Sequence, residues 1–168
     1  KHTEMLQRDE TKVLGSTVTA GGNLNLRAGE NLLLDASGAA AGNNLTAVAG
    51  GSILLSSGTD TLRDESFESK TGLGGLSGRS LAEGSFRETN VAAQLVAGNN
   101  LTTVSGGDTV VTGSYLGAGN DLSAFTGYIV QNDGTLVKSG TPGSFVASGG
   151  LEHYSSYREE KKHKFGGF

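Results

Sequence analysis

The sequence predicts an all-β solenoid: a parallel β-helix with rungs of about 21 residues and charged hairpin or extra-coil arms. Three observations predict it. Four stretches repeat: TAGGNLNLRAGENLLLDAS from Thr19, AAGNNLTAVAGGSILLSS from Ala40, VAGNNLTTVSGGDTVVTGS from Val96 and GAGNDLSAFTGYIVQN from Gly117. Their Ala-Gly steps fall at Ala20, Ala41, Ala97 and Ala118, 21 residues apart within each pair. The apolar residues inside each stretch alternate with a period of two, the pattern of a short half-buried strand. Glycine is abundant, at 28 of 168 residues, and recurs at spacings no helix tolerates.

The elements follow in chain order. Residues 1–12 are a charged block. Residues 16–59 hold the first rung pair, with Leu24/Leu26, Leu32/Leu34, Leu45 and Ile53/Leu55 alternating inward. A small residue followed by Gly returns eight positions after each repeat Ala, so each rung reads as strand, turn, strand, turn. Gly-Asn triplets around Gly21, Gly42, Asn44, Gly98, Asn100 and Gly119 are expected to make the turns, using the positive φ angles open to Gly. Residues 60–93 interrupt the rhythm: 56 residues rather than a multiple of 21 separate Ala41 from Ala97. Residues 94–135 carry the second rung pair, with Leu101, Val111 and Leu122 as core positions. Residues 136–168 read as an irregular rung around TPGSFVASGG and a second charged arm.

Two strands of this length cannot bury enough apolar surface to order themselves, so each rung depends on the next one stacking over it. The charges lie outside the rungs. Of 30 charged residues, 6 lie in 1–12, 10 in 60–88 and 7 in 152–164, leaving 7 for the repeats. LRDESFESKTGLGGLSG from Leu62 and LEHYSSYREEKKHKFGGF from Leu151 resemble each other, both running acidic, Ser-rich, aromatic, basic and Gly-rich. A projecting hairpin suits such a segment, and partial disorder across Thr71–Gly84 suits it equally.

Composition excludes several classes. Without cysteine there is no disulfide, thiolate metal site or thiol nucleophile. No apolar run exceeds three residues, so no membrane span is expected. A net charge of -4 gives no electrostatic reason to bind nucleic acid. No signal-like segment opens the chain, and neither end carries a capping segment, so it reads as a slice of a longer rod.

The rival class is a carbohydrate-active β-helix enzyme, a lyase or glycosidase, which needs carboxylates converging on one face. Rung carboxylates are few: Glu30, Asp35, Asp108, Asp121 and Asp133. Asp108 and Asp121 follow Gly-rich turns and are expected to cap the backbone locally. Calcium roll repeats are absent, because Gly106-Gly107-Asp108 stands alone and Asn23, Asn43, Asn44, Asn99 and Asn100 bring no charge; an Asn ladder along the turns is the expectation. His153 and His163, beside Glu152, Glu159 and Glu160, match no zinc spacing. No catalytic residue, metal or cofactor is expected. Phe67, Phe86, Tyr154, Tyr157, Phe165 and Phe168 read as arm packing residues, and exposed Tyr154 and Tyr157 are the first candidates for partner contact.

The repeats, the layout of two rungs and a charged arm, and the phrase GSTVTAGGNLNLRAGENLLLDAS together resemble the haemagglutinin repeats of filamentous haemagglutinin-type exoproteins. That group includes adhesins and CdiA-type contact-dependent growth inhibition effectors secreted by the two-partner route. The resemblance covers almost the whole chain. It implies a right-handed β-helical filament on the surface of a Gram-negative bacterium, exported through a dedicated outer-membrane transporter. It also implies a role as adhesive shaft or toxin-presenting stalk within a long parent exoprotein, with a target-cell receptor or glycan as partner.

Overall fold

The computed structural model describes residues 1–150 and 152–164 and is all-β. Among the described residues the one helical element is a 3-10 turn at Leu73–Gly75. The chain divides into two units: Val13–Gly58 with Asn90–Gly150, and Lys1–Lys12 with Thr59–Thr89 and the segment from Leu151.

β1 (His2–Thr11) belongs to the second of these units. The first is laid down in four passes of the chain. β2 (Thr17–Ala20), β3 (Leu24–Ala28) and β4 (Leu32–Asp35) make the first pass. β5 (Gly38–Ala41), β6 (Leu45–Ala49) and β7 (Ile53–Ser56) make the second. After β8 (Gly58–Gly72) and β9 (Ser77–Val91), the third pass is β10 (Gln94–Ala97), β11 (Leu101–Ser105) and β12 (Thr109–Thr112). The fourth is β13 (Tyr115–Ala118), β14 (Leu122–Thr126) and, after the hairpin β15 (Tyr128–Val130) and β16 (Leu136–Lys138), β17 (Phe145–Ser148). Each pass adds one strand to each of three parallel sheets, ordered β2-β5-β10-β13, β3-β6-β11-β14 and β4-β7-β12-β17.

The register explains the repeat. Leu24 pairs with Leu45, Leu45 with Leu101 and Leu101 with Leu122, so one column of leucines runs through the middle sheet. Leu32, Ile53, Thr109 and Phe145 form a second column, and Leu34, Leu55, Val111 and Ala147 a third. Leu45, Ile53, Leu55 and Leu101 are at most 1% exposed, and Leu34 and Val111 are also buried. Leu24, Leu26 and Leu32, in the first pass, are partly buried against that core. Leu122 was expected inside but is 45% exposed. It lies on the outermost strand of its sheet, covered from one side only.

Three further expectations are corrected. Each pass has three strands, not two. The extra one is β2, β5, β10 or β13, and Gly38-Ala39-Ala40-Ala41 shows why the pattern hid it: small residues all along give no contrast between faces. The stretch GYIVQN is not the second half of the fourth repeat. It opens the antiparallel hairpin β15–β16, and Phe145–Ser148 supplies the strand that stacks on β12.

The repeat glycines also act differently from expectation. Gly42, Gly98 and Gly119 do not have positive φ. A Cβ at each would collide with the carbonyl oxygen of Gly21, Gly42 and Gly98 respectively. Close approach of successive passes, rather than a left-handed backbone, demands Gly there.

Side-chain ladders bind the corners. Asn43 Nδ2 donates to Asn23 Oδ1 at 2.9 Å, and the same oxygen accepts from Asn44 N at 3.2 Å. Asn44 Oδ1 accepts from Asn100 N at 3.2 Å, and Asn100 Oδ1 from Asp121 N at 3.3 Å. At the next corner the acceptors are Asn31 Oδ1 for Ser52 N at 2.8 Å, Ser52 Oγ for Asp108 N at 3.2 Å, and Asp108 Oδ1 for Ser144 N at 2.8 Å. Backbone bonds between passes continue through the same turns, as in Gly42 N to Ala20 O (2.8 Å) and Gly98 N to Ala41 O (2.9 Å). Backbone groups at the corners are thereby satisfied where strands would otherwise fray.

The other unit is one antiparallel sheet, ordered β1-β8-β9-β18, where β18 spans His153–Lys164. The 3-10 turn joins β8 to β9, so Thr71–Gly72 and Ser77–Gly84 are strand. None of its described residues is buried. It is a single layer held by backbone pairing and by rows of charge.

Candidate functional site

Among the described residues no group of three or more His, Asp or Glu could hold a metal ion. The rung carboxylates do not converge. Asp35 Oδ1 accepts from Ser56 Oγ at 2.9 Å, Asp108 caps Ser144 N, and Asp121 belongs to the Asn ladder at another corner. The cap on Asp108 reaches 36 residues along the chain rather than acting locally. Asp133 closes the β15–β16 turn: its Oδ1 accepts from Thr135 N at 2.9 Å and from Thr135 Oγ1. Those two bonds, the hydroxyl first, hold its carboxyl below the usual carboxylate range. Glu30 is exposed on the turn before β4.

Several concave surfaces occur among the described residues, two of them beside groups of interest. A groove of about 370 Å³ at the root of the β15–β16 hairpin is lined by Thr126, Tyr128, Lys138, Thr141 and Pro142. Lys138 and the Tyr128 phenol are the titratable groups that line it. The larger groove, about 690 Å³, crosses the antiparallel sheet. A row of Ser66, Ser85 and Ser156 forms its floor, and Leu6, Arg8, Asp64, Glu83 and Arg158 line it. Cross-strand pairing sets the row: Leu6 lies opposite Ser66, and Ser85 opposite Ser156. Arg8 Nε stands 3.7 Å from Asp64, and Arg158 Nε 3.2 Å from Glu83. No histidine is among the lining residues, and Asp64 and Glu83 beside the serines are paired with Arg8 and Arg158.

Charge pairs continue along the sheet. Lys70 Nζ lies 2.6 Å from Glu68, Lys162 Nζ 2.9 Å from Glu160, and Arg79 Nε 2.8 Å from Glu160. The Lys70 hydrogen bond holds Glu68 below the usual carboxylate range, and that of Lys162 does the same for Glu160. Glu159 beside Lys161 raises the lysine above its ordinary value.

The aromatic candidates lie on this sheet. Tyr154 is 62% exposed, with the Arg87 guanidinium 5.6 Å from its ring centroid. Tyr157 is 54% exposed and covers Gly84, its partner across the strands, where a Cβ would meet the ring. The Phe86 and His153 rings stand 6.4 Å apart. Phe165 and Phe168, and the side chain of His163, lie outside the described residues. The groove serines and the Arg8–Asp64 and Arg158–Glu83 pairs escaped the sequence reading, because their partners come from strands far apart in the chain.

The groove places neutral hydroxyls beside opposite charges, with exposed aromatics on the same sheet. No helix is long and apolar enough to cross a membrane among the described residues. No curated protein and no solved structure matches the chain. The hemagglutinin repeat family matches residues 4–127, which run from β1 to the residue before the β15–β16 hairpin. With stacked repeats and family pattern coinciding over that span, the chain belongs to the hemagglutinin repeat family.

Proposed function

We propose that the chain is a non-catalytic shaft segment, a right-handed parallel β-helix within a larger secreted adhesin-like exoprotein of a Gram-negative bacterium. Its work is mechanical: stacked passes hold a recognition or toxic tip away from the producing cell. Export by a two-partner outer-membrane transporter fits a chain whose order comes from stacking one pass on the last. The observation that carries the reading is the register, in which equivalent residues 21 positions apart lie directly opposite each other in three sheets. The carboxylates argue against the lyase or glycosidase alternative, since Asp35, Asp108, Asp121 and Asp133 are held in local or inter-pass hydrogen bonds.

A glycan array and a cell-binding assay with this chain test the adhesive half of the proposal. Binding should survive Asp108→Asn and Asp121→Asn, and fall with Tyr154→Ala or Tyr157→Ala. Turnover of a polysaccharide that disappears in the aspartate variants, with circular dichroism unchanged, refutes it.

A further inference from the structure

We infer that the antiparallel sheet is half of a sandwich: one of its two faces packs against the same face of a second copy of this chain. The inference rests on this sheet alone and holds whatever the shaft presents.

Alternation sorts the side chains of the sheet onto two unlike faces. Glu68, Lys70, Arg79 and Leu81 border one hollow, so the even-numbered residues of β8 share a face with the odd-numbered residues of β9. Cross-strand pairing adds the even-numbered residues of β1 and β18 to it. That face holds the Arg8–Asp64, Lys70–Glu68, Arg79–Glu160 and Arg158–Glu83 ion pairs. The other face differs. On it Met5 lies opposite Phe67, Ala82 and Phe86 stand on β9, and Tyr157 covers Gly84 from β18. Arg63, Glu65, Phe86 and Tyr157 meet round one small hollow, which ties β8, β9 and β18 to this surface. Its polar groups satisfy one another: Arg63 Nε stands 3.7 Å from Glu65, Lys161 Nζ 2.8 Å from Glu159, and Gln7 Nε2 donates to Asp9 Oδ2 at 3.2 Å. Met5, Phe67 and Tyr157 are left exposed.

A sheet with one apolar face is stable when a second layer covers that face, and no described residue of this sheet is buried. Further strands at either edge would widen the sheet and leave the face as it is. Its size points to the occupant. β1 has 10 residues and β18 has 12. Four strands of such length, about 4.8 Å apart and rising about 3.4 Å per residue, give a face of about 19 by 35 Å, or about 1,300 Å² buried between two copies. Stable specific interfaces bury about 1,200–2,000 Å². A second copy brings a face of the same outline and strand spacing, and two such sheets stack about 10 Å apart. The contact is isologous, so it closes at a dimer. The ion pairs on this face carry their own counter-charges into it. Tyr154 stands on the opposite face and stays free in the pair.

Sedimentation velocity on the chain tests this. The expected result is a monomer–dimer equilibrium that goes no further and does not weaken as salt is added, because apolar contact drives it. Phe67→Lys and, separately, Met5→Lys put a charge into the contact, and each should raise the dissociation constant by about tenfold or more. Leu81→Lys, on the ion-paired face, should dimerise as the wild type does. Hydrogen exchange of the β8–β9 amides shows whether each variant keeps its sheet, and Met5, on an exposed strand, is the substitution that disturbs the fold least. A wild-type chain that stays monomeric throughout, a Phe67→Lys chain that pairs like wild type, or pairing lost equally in Leu81→Lys overturns the proposal. The shaft reading survives each of these results, since it concerns the parallel passes.

Discussion

Truncating one column of the stack at two heights separates a shared core from a row of independent strands. Leu45 is 0% exposed and lies between Leu24 and Leu101 in the register; Leu122, in the same column, is 45% exposed. Leu45→Ala removes a buried side chain and leaves a cavity that neighbours on both sides hold open, a change worth about 3–4 kcal/mol. Leu122→Ala removes a side chain that is already half in water and leaves no closed cavity, worth about 1 kcal/mol. Urea unfolding followed by circular dichroism near about 218 nm is the assay, since the chain has no tryptophan. With a slope of about 2 kcal/mol/M, the Leu45 variant should lose about 1.5–2 M in midpoint and the Leu122 variant about 0.5 M. Repeat stacks can unfold in stages, so the comparison holds for the transition whose slope the two variants share. Equal shifts at both positions would refute the argument, because they would mean that the passes above and below Leu45 give it no shelter.

Gly98→Ala forces a Cβ against the Gly42 carbonyl and should destabilise by about 2 kcal/mol or more, whereas Gly21→Ala meets nothing within 4 Å and should be near neutral in the same urea assay. The Thr103 hydroxyl is buried with no hydrogen-bond partner, so Thr103→Val should raise the melting temperature, with a gain of about 1 kcal/mol. Asn100→Ala deletes the acceptor for Asp121 N and Asn120 Nδ2 and should lose about 1 kcal/mol, while Asp108→Asn keeps its acceptor oxygen and should stay within about 0.5 kcal/mol. The carboxyls of Glu68 and Glu160 titrate lower in the folded sheet than in the unfolded chain. Their contribution is thus present above the unfolded glutamate value and lost as pH falls through the lowered one. Lys161 has the opposite sign: its contribution is present below the unfolded lysine value and lost as pH rises through the raised one. Hydrogen exchange should accordingly show the β8–β9–β18 amides losing protection on acidification, and less so in high salt, where these exposed pairs are already screened.

The leucine column was legible because identical residues at a fixed offset can share a face only by stacking, and Leu24, Leu45, Leu101 and Leu122 keep that offset on both sides of the insertion. Gly38–Ala41 was not legible as a strand, since an all-small segment gives no alternation to read. Thr126-Gly127 imitates the half-repeat at Ala49-Gly50 and so concealed the hairpin. Where the fourth pass resumes is decided by Phe145 falling opposite Thr109, a tertiary fact. The groove on the antiparallel sheet needed pairings such as Leu6 with Ser66, whose partners come from different excursions of the chain. Ser residues are common in any exposed strand, and their composition alone gave no sign of a shared floor.

The joint between the second and third passes spans 56 residues where its neighbours span 21, yet its ladder spacing is unaltered: Leu45 N to Asn100 O is 2.9 Å, as is Leu24 N to Asn44 O. By the logarithmic dependence of ring-closure entropy on length, lengthening that link adds only about 0.9 kcal/mol. One buried leucine outweighs it. A corner of this kind is a port for grafting: foreign sequence of considerable length can be spliced in there while the masonry on either side keeps its course. Diversity in such proteins is therefore free to accumulate in what hangs from the corners, at negligible expense to the column that carries it.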